Sequence, residues 1–132
     1  MFQYTFKIYY EDTDSGGVVY YANYLKFIER ARTEMINELG FTLTTLLKDY
    51  DRLFLVKKIE CDYIESCKLE DRLNVQSRVL LLKNASFELE QNILKQNNFI
   101  FRSKILMVCV NSRGAPCKIP SELHSLIKNK DG

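Results

Sequence analysis

Three carboxylates, Glu11, Asp12 and Asp14, stand within four residues of one another in the stretch EDTDSGGVVYYANY, residues 11–24. They come just before two glycines and a segment that reads as the start of a helix. Carboxylates in such a place can do three things. One can cap the helix, where unpaired N–H groups and the positive end of the dipole favour an anion. Several can chelate a hard cation. One can also act as a base or nucleophile beside a helix N-terminus that stabilises developing negative charge. Capping needs only one acid. The loop resembles the start of a calcium-binding EF-hand, with Asp12, Asp14 and Gly17 at positions one, three and six. Its twelfth position is Asn23, where a bidentate Glu is required, and calcium binding is not expected.

Other chemistries lack their parts. His124 is the only histidine and falls in what reads as a surface tail, so neither a Ser-His-Asp nor a Cys-His nucleophile has a base. There is no GxSxG, no Walker A sequence and no GxGxxG. Zinc catalysis draws on closely spaced histidines or thiolates, which are missing, and no metal or other cofactor is expected. Cys61, Cys67, Cys109 and Cys117 form no CxxC pair and read as reduced thiols, which points to the cytoplasm.

The elements that must position the acids follow from patterning. Tyr4, Phe6, Ile8 and Tyr10 alternate with polar neighbours and predict a first strand entering the acidic loop. From Ala22 to Leu39 the period becomes helical. Tyr24, Phe27, Ile28, Ala31 and Met35 share one face, Leu25, Ile36 and Leu39 widen it, and Lys26, Arg30, Thr33 and Asn37 lie opposite. Gly40 ends the helix, and Thr42 to Asp49 predict a short second one. Four strands follow, carried by Ile59, Cys61 and Tyr63, by Leu73, Val75, Val79 and Leu81, by Phe87, Leu89 and Ile93, and by Phe99 to Val110. LKNAS and KQNN supply turns, and Pro120 with SELHSLIKNK predicts a C-terminal helix. The expected class is α+β, a single domain over residues 1–132 with an antiparallel sheet curled around one long central helix. A net charge of +2, with no dense basic run, argues against nucleic acid. No signal peptide and no apolar run of membrane-spanning length is read.

The stretch YYEDTDSGGVVYYANYLKFIERARTE, Tyr9 to Glu34, is similar to the loop-plus-helix signature of the 4-hydroxybenzoyl-CoA thioesterase family of hotdog-fold proteins. It most resembles that family's YbgC-like acyl-CoA thioesterases. The likeness extends more weakly through FLVKKIECDYIESCKLEDRLNV and the VCVN strand. It implies hydrolysis of an acyl-CoA with a short-chain or aromatic acyl group, without a metal or prosthetic group. It also implies active sites at the interface of paired subunits, a homodimer at least and a homotetramer by resemblance. The family's catalytic acid falls on Asp14, and its activating backbone amide falls on Tyr21. YbgC-like members usually carry His where this chain has Tyr21, a change that bears on the acyl group and leaves the amide in place.

These residue types suit the reaction. A thiol of pKa ~8.5 leaves readily as thiolate, so the demanding step is the charge gathered on the carbonyl oxygen. An N–H at the positive end of a helix stabilises that charge. Gly16 and Gly17 let the chain turn tightly and let substrate approach the backbone. Gly17, Val18, Tyr20, Asn23 and Tyr24 are candidate substrate contacts. Lys57, Lys58 and Lys83 are candidates for the CoA phosphates, with Asn84 and Ser86 beside Lys83 at a hairpin. Asp12 and Glu11 read as structural; Glu29, Arg30, Arg32 and Glu34 are in a place to orient the site, and i,i+4 pairing such as Arg30 with Glu34 is the simpler reading. Two other functions fit the same fold: a non-catalytic module binding acyl-CoA or acyl carrier protein, and a hotdog dehydratase, which would need a catalytic His.

Overall fold

A computed structural model describes residues 1–131. The chain runs through β1 (Phe2–Lys7), a single 3-10 turn (Tyr10–Asp12), α1 (Asn23–Glu38), α2 (Leu43–Tyr50), β2 (Leu53–Tyr63), β3 (Arg72–Leu82), β4 (Ser86–Lys95), β5 (Asn98–Val110) and α3 (Ser121–Asp131). The strands form one antiparallel sheet in the order β1-β3-β4-β5-β2. Its inner face wraps α1, which is the hotdog arrangement expected from the sequence.

Helix α1 forms where its period predicts. Tyr24, Phe27, Ile28, Ala31, Met35 and Ile36 are buried and meet Leu73, Val75, Leu89, Ile93 and Ile105 of the sheet in one core. Burying Phe27, Ile28 and Met35 contributes roughly 1.5–3 kcal/mol each. Gly40, at φ 95°, ends the helix in a Schellman turn, with Phe41 N–H on the Ile36 carbonyl (3.2 Å) and Gly40 N–H on the Asn37 carbonyl (3.0 Å). Thr42 caps α2 through its hydroxyl, 3.0 Å from Thr45 N. Gln96 and Asn97 both take positive φ in the β4–β5 hairpin, as a two-residue type I′ turn requires.

Four expectations are corrected. Strand β1 stops at Lys7, and Tyr10 turns outward in the 3-10 turn instead of continuing the alternation. Leu25 lies on the exposed side of α1. Leu81 is also exposed, because the β3–β4 register shifts between Val79 and Leu81 and exchanges the faces of the strand. The C-terminal segment is not a surface tail: Ile119, Leu123 and Ile127 join the main core, and His124 Nε2 is enclosed with no hydrogen-bond partner among the described residues.

Strand β2 lies at one edge of the sheet and leaves Leu55, Val56, Ile59 and Tyr63 exposed. Its pairing with β5 shifts between Val56 and Lys58, so Lys57 is the extra residue of a bulge. No described helix is long and apolar enough to cross a membrane.

Candidate active site

The acidic loop is a tight hairpin braced from both sides. Asp12 is buried, and its Oδ2 accepts the Tyr9 N–H at 2.9 Å. The Asp12 carbonyl accepts from the Asn23 amide (2.9 Å) and from the Tyr20 N–H (3.3 Å), which folds the acids back onto the start of α1. Asp12 is thus the structural acid of the three. Beyond the turn, Thr13 bridges to Val19 and Val18 to Lys68, and the Val19 N–H donates to the Cys67 carbonyl at 2.9 Å. The segment after β2 therefore holds the loop in place.

Asp14 sits at the exposed tip. Its N–H donates to the Val18 carbonyl (2.8 Å), its carbonyl accepts from Gly17 (3.0 Å), and its Oδ1 accepts the Gly16 N–H (2.8 Å). This Asx turn fixes the carboxyl group and leaves Oδ2 without a partner among the described residues. Gly17, at φ 83°, takes a left-handed conformation that side-chain-bearing residues avoid. At Gly16 an added Cβ would stand 3.3 Å from Asp14 Oδ1, so a larger residue would press on the carboxylate.

None of the acids caps α1. The N-cap is Ala22, with no side-chain hydrogen bond, and the first turn holds no acidic residue. The helix starts as a tight turn, with Asn23 N–H on the Tyr20 carbonyl (2.9 Å) and Tyr24 N–H on the Tyr21 carbonyl (3.3 Å). The N–H groups of Tyr21 and Ala22 have no acceptor among the described residues. Two open donors at the positive end of a helix make an anion-binding position, and the Asp14 hairpin lies against it.

Aromatic rings surround this position. Tyr20 and Tyr21 are exposed with ring centroids 4.9 Å apart, and the hydrogen bond between their side chains holds the Tyr20 phenol above its ordinary pKa. Tyr63 of β2 meets both Tyr21 and Tyr24 edge-on. Burial, with the neighbouring Cys61, raises the Tyr63 phenol. Tyr24 itself is in the core, stacked on Phe101, with its hydroxyl 3.2 Å from Cys67 Sγ. Burial, together with that contact, raises its phenol strongly. Packing accounts for Tyr24, and the Asn23 side chain braces the loop, whereas Gly17, Val18 and Tyr20 lie at the open surface.

Of the candidate phosphate contacts, Lys57, Lys83 and Ser86 line one pocket of about 490 Å³ on the outer sheet face, with Leu81, Leu106 and Val108. Asn84 stands beside it and gives its carbonyl to Ile119 N–H (2.8 Å). Lys58 pairs instead with Glu60 at 3.0 Å. The pocket and the acidic loop lie at opposite ends of the sheet. The loop is anchored just before Arg72, and the length of β3 separates it from Lys83 by about 35 Å.

Sequence reasoning gave no partner to three residues, Tyr63, Arg32 and Gln91. Tyr63 was visible as an inward aromatic, but its partner Tyr21 comes from a distant segment. Arg30 and Glu34 form no ion pair. The cation of α1 that finds a buried partner is Arg32, whose Nη1 donates to Gln91 Oε1 at 2.9 Å. Gln91 is a fully buried amide on β4, and its Nε2 donates to the Ile28 carbonyl (3.0 Å) and to Ser77 Oγ (2.9 Å). A polar residue on the core face carries no signal in the sequence until its partners are known.

Comparison with known proteins identifies the family and the fold. The model of the thioesterase-like superfamily matches residues 9–127. An acyl-CoA thioesterase, YbgC, of Haemophilus influenzae is 39% identical over 123 residues, covering 92% of this chain and 90% of its own. The solved structure of BH1999, a gentisyl-coenzyme A thioesterase, is 30% identical, covers 95% of this chain and 98% of its own, and superposes with a TM-score of 0.86. The fold alone is shared with Slr0204, a 1,4-dihydroxy-2-naphthoyl-CoA thioesterase from Synechocystis, with a TM-score of 0.90 at 20% identity over 99% of this chain and 98% of that one. With its acid-bearing hairpin, its uncapped helix and relatives matched over nearly the whole chain, the protein belongs to the thioesterase-like superfamily, among the YbgC-type acyl-CoA thioesterases.

Proposed function

We propose that the protein hydrolyses short-chain or aromatic acyl-CoA thioesters at a site shared by two copies of the chain. The observation that carries this reading is the pair of open N–H groups, Tyr21 and Ala22, at an uncapped helix N-terminus beside Asp14. The Tyr21 N–H receives the thioester oxygen. Asp14 takes a proton from water as the resulting hydroxide adds to the carbonyl carbon, or its free oxygen attacks that carbon and the anhydride is then hydrolysed. In either course the negative charge gathers on the oxygen held by the helix, and collapse expels CoA as thiolate.

A second copy supplies what one chain lacks. Strand β2 is an exposed edge of 11 residues, with Leu55, Val56, Ile59 and Tyr63 at its surface and unpaired backbone groups along it. Pairing two such edges about a two-fold axis near the middle of β2 sets Tyr63 of one copy across from the Leu53–Leu55 end of the other. That arrangement brings the Lys57 and Lys83 pocket of one subunit toward the acidic loop of its partner, where the CoA phosphates would lie. The homodimer is the functional minimum, and a homotetramer is expected by resemblance. A screen of acyl-CoAs, with acyl carrier protein thioesters in parallel and free-thiol detection, tests the activity. Release of thiol from no acyl-CoA would refute it and leave a binding module.

A further inference from the structure

Between α1 and the first half of β2 lies a cavity of about 200 Å³, walled by Met35, Ile36, Phe54, Val56, Phe87 and Met107. It has room for about seven water-sized groups, enough for a short acyl chain. Two charged residues line it, Arg32 and Glu29. Arg32 is half-buried, and Gln91 holds its guanidinium, whose own amide is fixed by Ser77 and the Ile28 carbonyl. No carboxylate stands within ion-pair distance of Arg32 among the described residues. One of its five donors is used. Glu29 is exposed and receives the Thr33 hydroxyl at 3.4 Å. Burial works against the Arg32 cation, and the field of Glu29 only partly opposes that effect. A largely desolvated guanidinium with spare donors and no carboxylate in ion-pair contact among the described residues is poised for an incoming carboxylate.

We infer that this cavity is an acyl subsite for acyl groups whose far end carries a carboxylate, with Arg32 as the recognising cation. The inference rests on the thioesterase reading and on the pairing of two subunits. Arg32 lies nine residues beyond Asn23, about 14 Å along α1, whereas a six-carbon diacid spans about 7 Å. A chain's own cavity is therefore out of reach of its own Tyr21 N–H. Pairing of the β2 edges places the cavity walls Phe54 and Val56 of one copy next to Tyr63, and hence Tyr21, of the other. The acyl group held at one subunit's loop thus enters the other's cavity.

The test compares adipyl-CoA with hexanoyl-CoA, matched in carbon number, in the full-length protein. Wild type should favour adipyl-CoA in kcat/KM by about tenfold, the worth of one charge-assisted contact. Arg32→Gln should abolish that preference, mainly through KM for adipyl-CoA, while hexanoyl-CoA changes by less than about twofold. Arg32→Lys should keep part of it. Glu29→Gln removes the charge that repels the ligand and should increase the preference. Should Arg32→Gln fail to fold, Glu29→Gln carries the test alone, since it alters an exposed residue. Hydrolysis of hexanoyl-CoA with no adipyl preference, or a preference unmoved in these variants, overturns the subsite and leaves the thioesterase standing. Hydrolysis of neither, with no other acyl-CoA cleaved, overturns both.

Discussion

The ring of Tyr63, at the last position of β2, meets the ring of Tyr21 edge-on, with centroids 6.0 Å apart and planes at 86°. This contact joins the exposed edge of the sheet to the open end of α1. It places the N–H proposed to bind the oxyanion beside the strand proposed to pair with a second subunit, so assembly and catalysis share a wall.

Asp14→Asn should fold normally, because the amide oxygen can still accept the Gly16 N–H that the carboxylate accepts at 2.8 Å. It should lose ~10²–10⁴ in kcat, the usual contribution of a positioned base. Steady-state kinetics on the folded variant decide it, and a near-native rate would take Asp14 out of the mechanism.

The Tyr21 N–H donates to nothing among the described residues, so removing it costs none of their hydrogen bonds. Tyr21→Pro should remain folded by circular dichroism yet lose ~10²–10³ in kcat, as expected for one oxyanion donor. Tyr21→Phe should stay within ~10-fold of wild type. Equal damage from both would make the phenol, not the amide, the catalytic group.

Lys83→Ala should raise KM with kcat little changed, because a phosphate contact far from the carbonyl binds ground and transition states alike. Combining it with Lys57→Ala, on the same pocket, should raise KM further. Added salt should weaken wild type more than either variant. Equal salt sensitivity would reduce both to ordinary surface lysines.

Leu55→Asp puts a charge on the free edge of β2 at a side chain already 51% exposed, so the single subunit should tolerate it. Light scattering should report monomers, and specific activity should fall with the loss of pairing. A fully active monomer would refute the shared site.

Gln91→Leu is close in size but strands Ser77 and Arg32, and should lower unfolding stability by roughly 2–4 kcal/mol in urea titration. A loss under ~0.5 kcal/mol would mean that water replaces the amide without cost.

The sequence displayed α1 almost residue for residue, because a long one-faced period and Gly40 are local signals. Asp14 and Tyr21 are singled out by the resemblance of one contiguous loop to the family's signature, and the structure adds the hydrogen bonds that hold that loop. What the sequence hid depends on contacts between distant segments. Leu81 looks like a core residue until the shifted register of β3 turns it outward. Leu123 and Ile127 look like a tail until a core receives them. Gln91 breaks the apolar alternation of β4, and only Ser77, Ile28 and Arg32 together explain why an amide belongs there.

The bulge at Lys57 gives β2 two phases within one strand. Before it, Phe54 and Val56 face the cavity; after it, the odd positions Ile59, Cys61 and Tyr63 take over the inward direction. Because Lys57 is the surplus residue opposite β5, removing it would leave Val56 on Met107, Lys58 on Leu106 and Tyr63 on Phe101, and would only straighten the strand. The loss of one codon would then cost the edge its local bend and the outer pocket one of its two lysines, with Tyr63 still turned toward Tyr21.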